Sequence, residues 1–191
     1  MTMRKKLLIT IACLSVILCT LITGTIAWLI DDTESIVNKF TPSNIKVELT
    51  EVNKGDNYKF QMIPGKTYAK DPKVTVTNDI DCYVFVKVVE TNNTWGELKA
   101  VVYTVDSGWT ELQDGVYYRV VDATADVADK TFSVIAGDKV EINSKLDKAY
   151  MASLDADSKY PTLTFTAYAC QKDGFNDAAA AWAEASTQAK P

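Results

Sequence analysis

Apolar and polar residues alternate along most of the chain. In "NIKVELTEV", Ile45, Val47 and Leu49 are interleaved with Lys46, Glu48 and Thr50, the period of a strand with one buried face. "YKFQMIPGK" alternates as well and ends in a Pro64-Gly65 turn, and "KVTVTND" is a third, shorter run. "DCYVFVKVVE" is denser and reads as a central strand, apolar on both faces. "LKAVVYTV", "GVYYRVV", "KTFSVIAG" and "DKVEIN" follow, separated by Gly, Asp and Asn. The last strong run is "YPTLTFTAYACQ", with Leu163, Phe165, Ala167 and Ala169 on one side. About nine strands at roughly 8–12-residue spacing predict a mainly β fold, an antiparallel sandwich or barrel.

Two stretches depart from that period. "NDAAAAWAEASTQ" predicts a short C-terminal helix, with Asn176 or Asp177 as its N-cap and Trp182 as its docking side chain. "SKLDKAYMASLDAD" reads equally as a short helix or an irregular connection.

The first 30 residues differ from everything after them. A basic start, Arg4-Lys5-Lys6, precedes an uninterrupted apolar run, the layout of an export signal. Thr25 and Ala27 supply the small side chains of a cleavage site, so cleavage is expected after Ala27, with Trp28 first in the mature chain. The competing expectation is an uncleaved anchor. Leu7 to Ile30 carries no charge over 24 residues, and about 20 suffice to cross a bilayer. The resulting division is a signal helix over 1–27, an N-terminal segment over 28–40 and a β domain over 41–188. The chain's end, "STQAKP", shows no sorting signal, so surface retention is expected to need a partner or that anchor.

Composition narrows the chemistry. The 191 residues are 47% apolar and 24% charged, ordinary for a globular chain. Beyond the leader there are 17 basic and 25 acidic residues, a net charge of −8. Such a surface repels phosphate backbones, and no nucleic-acid partner is expected. The chain has no His, which removes the commonest general base and a common zinc ligand together. No Ser sits in a GxSxG pattern. No catalytic residue, metal or cofactor is expected, and the chain reads as a non-enzyme. Four cysteines divide into Cys13 and Cys19 in the leader and Cys82 and Cys170 in strand-like runs. The second pair permits one disulfide; a free buried thiol is the alternative.

Three segments together resemble the TasA and camelysin family of exported Firmicutes proteins. The first is "GTIAWLIDDTESIVNKFTPSNIKVELTE", with Gly24-Thr25-x-Ala27, Trp28, Leu29, Asp31-Asp32-Thr33 and Asn38-x-Phe40. The second is "IPGKTYAKDPKVTVTNDIDCYVFVKV", residues 63–88, and the third is "FTAYACQKDGFNDAAAAWAEA". The stretch over about 91–160 lies outside the resemblance. Ile30 departs from the pattern, standing where a polar residue is expected. The resemblance implies a two-sheet jelly roll and an extracellular role, with maturation by a signal peptidase of the SipW type. It also implies self-association into biofilm-matrix fibres, or assembly with related matrix subunits, by donation of the mature N-terminal segment as a strand. Camelysin-like members carry a peptidase label; a surface metalloendopeptidase is an alternative that the missing His disfavours. A monomeric surface-displayed binding module is another.

Physical chemistry gives the segment a use of its own. A terminus beginning Trp28-Leu29-Ile30, with Ile36 and Phe40 behind it, is too apolar to stay solvated. It packs on its own domain as a first strand or on an open sheet edge of a neighbour. Burying Trp28, Leu29, Ile36 and Phe40 contributes roughly 6–12 kcal/mol before ordering costs, and association costs are of similar size. Acidic loops at 122–130 and 155–159 lack the Gly and terminal Glu of a calcium loop and read as solvated. Trp95, Trp109, Tyr117, Tyr118 and Tyr150 read as core aromatics rather than a sugar platform.

Overall fold

Period-two runs bounded by Gly, Asp and Asn become strands because only every second side chain can be buried on a sheet face. The computed structural model describes residues 44–52 and 59–187, together with Met3. The chain divides into two units, 1–41 and 42–191, and the architecture below is that of the second. The expected signal helix over 1–27 and the segment over 28–40 lie outside the described residues, Met3 apart.

The strands are β1 (Ile45–Thr50), β2 (Thr67–Ala69), β3 (Lys73–Asn78), β4 (Cys82–Thr91), β5 (Thr94–Trp95), β6 (Leu98–Lys99) and β7 (Val101–Val102). They continue with β8 (Thr110–Gln113), β9 (Val116–Val121), β10 (Thr131–Ser133), β11 (Lys139–Ile142) and β12 (Thr162–Gln171). Two α-helices are described, α1 (Lys148–Ser153) and α2 (Ala178–Thr187). Every named strand pairing is antiparallel, in the orders β1-β3-β10, β2-β11-β7 and β12-β4-β9-β8, with β5-β6 as a small hairpin. The first two sheets are halves of one bent ribbon. β2 runs into β3 through Lys70-Asp71-Pro72, and β10 runs into β11. Across the bend, Lys70 N–H donates to Asp138 O at 2.9 Å and Val134 N–H to Pro72 O at 2.9 Å. Proline has no N–H to give the ladder, and the ribbon turns where it stands.

Inward faces of the three-stranded and four-stranded sheets meet in one apolar cluster. Val74 and Val76 come from β3, and Val84, Val86 and Val88 from β4. The bent half covers a second cluster, including Ile135, Val140, Ile142 and Tyr150. A third lies on the other face of the four-stranded sheet, where Tyr83 and Phe85 of β4 pack on Ala181 and Trp182 of α2. Cys82 to Val86 are all buried for that reason: β4 is central in its sheet and covered on both faces. Helix α2 is held at its start by Asp177, whose Oδ1 accepts from Ala180 N–H at 2.8 Å. The open reading of 144–157 resolves as α1, capped by Asp147 Oδ1 accepting from Tyr150 N–H at 2.8 Å.

Two expected strands differ. The alternating run at 58–63 is irregular over 60–63. Its carbonyls are taken locally: Gln61 O accepts from Tyr68 Oη at 2.6 Å and from Ile63 N–H at 3.0 Å. Phe60 and Met62 nevertheless pack, Phe60 edge-on to Tyr68 and Met62 against the second cluster, so the burial pattern survives without the ladder. The run at 98–105 is broken into β6 and β7. The buried Asn93 side chain stands in for a strand there, taking Val101 N–H at 2.6 Å and giving Nδ2–H to Val101 O at 3.0 Å.

Candidate functional site

Backbone groups at a sheet edge are the reactive feature of an all-β chain, because each unpaired N–H and C=O can take a further strand. Edges in natural sheets are usually blunted by charge, proline, shortness or bulges. Most edges here follow that rule. β1 carries Lys46 and Glu48, which form an ion pair. β8 is four residues long, with Glu111 in it and a register shift between Glu111 and Gln113. β2 and β7 are three and two residues long.

β12 does not follow it. It is ten residues long, ends the order β12-β4-β9-β8, and its sequence TLTFTAYACQ holds no charge. Its register with β4 is continuous from Thr162↔Thr91 to Gln171↔Cys82. Just beyond, Lys172 N–H donates to the directly opposed Asp81 O at 2.9 Å. Directly opposed bonded pairs recur at every second residue of an antiparallel ladder. The even residues of β12 therefore bond to β4. Leu163, Phe165, Ala167, Ala169 and Gln171 direct their N–H and C=O groups to the outer edge. The same alternation holds on β4's other side, where Val88 N–H donates to Gly115 O at 2.7 Å. Phe165, Ala167 and Ala169 pack into the inter-sheet cluster beside Ile45 and Val47 of β1, which lies alongside β12 without being paired to it.

Each end of β12 opens on a hollow. At its start Phe60, Met62, Pro161 and Leu163 line one of about 290 Å³. It adjoins a cleft of about 550 Å³ to which Met151, Leu154 and Tyr160 contribute. At its end Tyr168, Ala169, Cys170, Phe175 and Ala185 line a hollow of about 500 Å³. Beside the first hollow the Lys70 ammonium is buried against Glu51, with N–O distances of 2.7 and 2.8 Å. It also lies over the rings of Phe60 and Phe165, at 5.8 and 5.5 Å from their centroids. This clamp ties the residue after β1 and the irregular 60–63 stretch to β12.

A second polar cluster lies at the far end of β4. Glu90 Oε1 accepts from Tyr103 Oη at 2.9 Å, and Oε2 from Asn93 Nδ2 at 3.0 Å and from Lys99. Partial burial works against ionisation of Glu90, but these three donors prevail and hold its carboxyl below the usual range. Tyr103, partly buried and beside that carboxylate, is pushed up. Every member has a partner within the chain, so the cluster reads as structural.

Thr25, Ala27, Trp28, Leu29, Ile30, Ile36 and Phe40 lie outside the described residues. The permitted Cys82–Cys170 disulfide does not form: both thiols are free. The register explains this. Cys82 opposes Gln171 and Cys170 opposes Tyr83, so the two side chains leave opposite faces of the sheet. Cys82 joins the inter-sheet cluster and Cys170 the helix-side one. Burial pushes the Cys82 thiol up to about 11, with the neighbouring Cys170 adding to it. The 122–130 loop is organised by Lys130, whose buried ammonium bonds Ala123 O at 3.0 Å. Asp155 is paired with Lys159 at 2.7 Å. The aromatics do not share one face: Trp109 belongs to the inter-sheet cluster, Trp95 and Tyr150 to the second and Tyr118 to the third. Among the described residues no group of three or more Cys, Asp or Glu could hold a metal ion. No described helix is long and apolar enough to cross a membrane. Comparison with family models, curated proteins and solved structures found no match.

Proposed function

We propose that this chain is an exported, non-catalytic structural subunit of an extracellular fibre. Its domain is a jelly-roll-like sandwich, and subunits join by β-strand addition once a SipW-type signal peptidase has removed residues 1–27. The observation that carries the reading is the long, uncharged outer edge of β12, in a chain whose other described edges are short, bulged or charged. Its counterpart is the apolar segment that begins at Trp28. A segment of one subunit on an edge of the next is a heterologous contact. Repetition of such a contact does not close, and it grows a filament.

Imaging of the secreted protein, combined with N-terminal sequencing, tests this. The expected outcome is filaments built from a chain beginning at Trp28. Removal of residues 28–38 is expected to leave a folded, soluble monomer that makes none. A truncated protein that no longer folds would mean that the segment is the first strand of its own domain, and the proposal would fall.

A further inference from the structure

We infer that the outer edge of β12, with the hollow at each of its ends, is the acceptor track for residues 28–40 of a second copy of this chain. This rests on the fibre reading above and adds where the segment lies and what fixes its register.

The match is one of pattern and length. Residues 28–40 are apolar at both ends and acidic between: Trp28-Leu29-Ile30, then Asp31, Asp32 and Glu34, then Ile36-Val37 and Phe40. The track likewise has a hollow at each end, the second lined by Gln171 and Glu184 as well as by apolar side chains. The hollow of about 290 Å³ at Phe60, Met62 and Pro161 stands at one end, and that of about 500 Å³ at Tyr168, Cys170 and Phe175 at the other. Between them the edge shows the exposed Thr164 and Thr166. At roughly 3.3 Å per residue, the edge from Leu163 to Gln171 and the segment from Trp28 to Ile36 each span about 26 Å. One apolar group can therefore enter each hollow while the main chain pairs along the edge. Adjacent apolar residues in each group present a side chain to either sheet face, which suits hollows that open beside an edge.

Charge fixes the centre. Lys87 of β4 opposes Thr166 of β12. It is exposed and makes no ion pair among the described residues. Its position is one strand in from the track's midpoint, and the length of a lysine side chain lets it reach toward the acidic stretch Asp31–Glu34 of an added strand. The uncharged edge and the cation beside its midpoint together accept an acidic-centred strand and disfavour a basic one.

The backbone alternation supplies a selective test. At Ala167 and Ala169 the N–H points outward, so proline there removes an edge donor and leaves the bonds to β4 intact. Ala167→Pro and Ala169→Pro proteins are expected to fold, to bind a synthetic peptide of residues 28–40 about tenfold more weakly or worse, and to form no filaments. Lys87→Glu is expected to weaken peptide binding severalfold at low salt. The same peptide carrying a photoreactive group at Ile36 maps the site independently of these variants. Adducts on 161–171 support the track, whereas adducts on β1, β8 or another surface overturn it. Wild-type filaments matched by equal filaments from both folded proline variants overturn the β12 assignment alone. A wild-type protein that stays monodisperse at all concentrations overturns the fibre reading itself. A monomer whose own residues 28–40 resist proteolysis shows the segment folded back on its own domain, which overturns the intermolecular assignment.

Discussion

Cys82 shows how one residue's chemistry follows from the face it occupies. Its sulfur lies in the inter-sheet core with no exposed surface, and the cost of a buried thiolate raises its titration to about 11. The folded state thus holds that proton more tightly than the unfolded chain, in which a thiol titrates near 8.5. Its contribution to stability is complete below that value and is lost as pH rises through about 11. Urea unfolding of the wild type is expected to weaken more steeply between pH 9 and 11 than that of Cys82→Ala. Parallel curves would show that the thiol is not shielded. In the native protein at neutral pH, alkylation is expected at the half-buried Cys170 before Cys82. What the sequence left open here was decided by parity. A disulfide between residues 82 and 170 needs side chains on one face, and the register Cys170↔Tyr83 puts them on opposite faces. Nothing in the spacing of two cysteines in separate strands reports that register.

At the scale of elements, the patterns that could be read were those set by local burial. The double-sided apolar run at the start of β4 is buried throughout, and β12 alternates over Thr162–Ala167 as its sequence implies, with Tyr168 and Cys170 half-buried on its other face. The Ala-rich helix caps at Asp177 and docks through Trp182 as its composition predicts. Elements that escaped were set by side chains replacing backbone partners, as Asn93 does for Val101, or by bends without a periodic signature, as at Pro72. That β12 ends its sheet among the described strands was likewise hidden. Alternation predicts a strand, but which strands end a sheet depends on pairings made far along the chain. Helix α2 offers a quantitative check on the element scale. Trp182 packs at a tilt on Phe85 and edge to face with Tyr168, with ring centroids at 5.3 and 5.1 Å, and it covers the helix-side face of β4. Trp182→Ala is expected to cost about 3–5 kcal/mol, and Asp177→Ala about 1 kcal/mol, measured by urea unfolding followed by circular dichroism. A cost below about 1 kcal/mol for Trp182→Ala would mean that the helix does not seal that face.

For the whole molecule, charge and edge would act in opposite directions on the proposed assembly. Each subunit beyond Ala27 carries a net −8, so two of them repel as they approach. Under the proposed strand addition, the contact holds them only after the apolar ends of residues 28–40 are seated. Raising salt from about 10 mM to 150 mM shortens the screening length from about 30 Å to about 8 Å. That removes most of the repulsion between whole subunits while leaving apolar burial intact. The lag before filaments sediment is therefore expected to shorten with salt, and the protein remaining in the supernatant to fall. Velocity sedimentation should show monomer and long polymer with no favoured closed oligomer, because a head-to-tail contact has no natural end. The local attraction of Lys87 for an acidic strand runs the other way and is screened by the same salt. Its share is isolated by comparing Lys87→Glu with wild type at a single low salt concentration. A lag that lengthens with salt in the wild type would place the local ion pair, rather than net repulsion, in control of the encounter. A lag indifferent to salt would mean that assembly is limited after contact, while the segment seats along the edge.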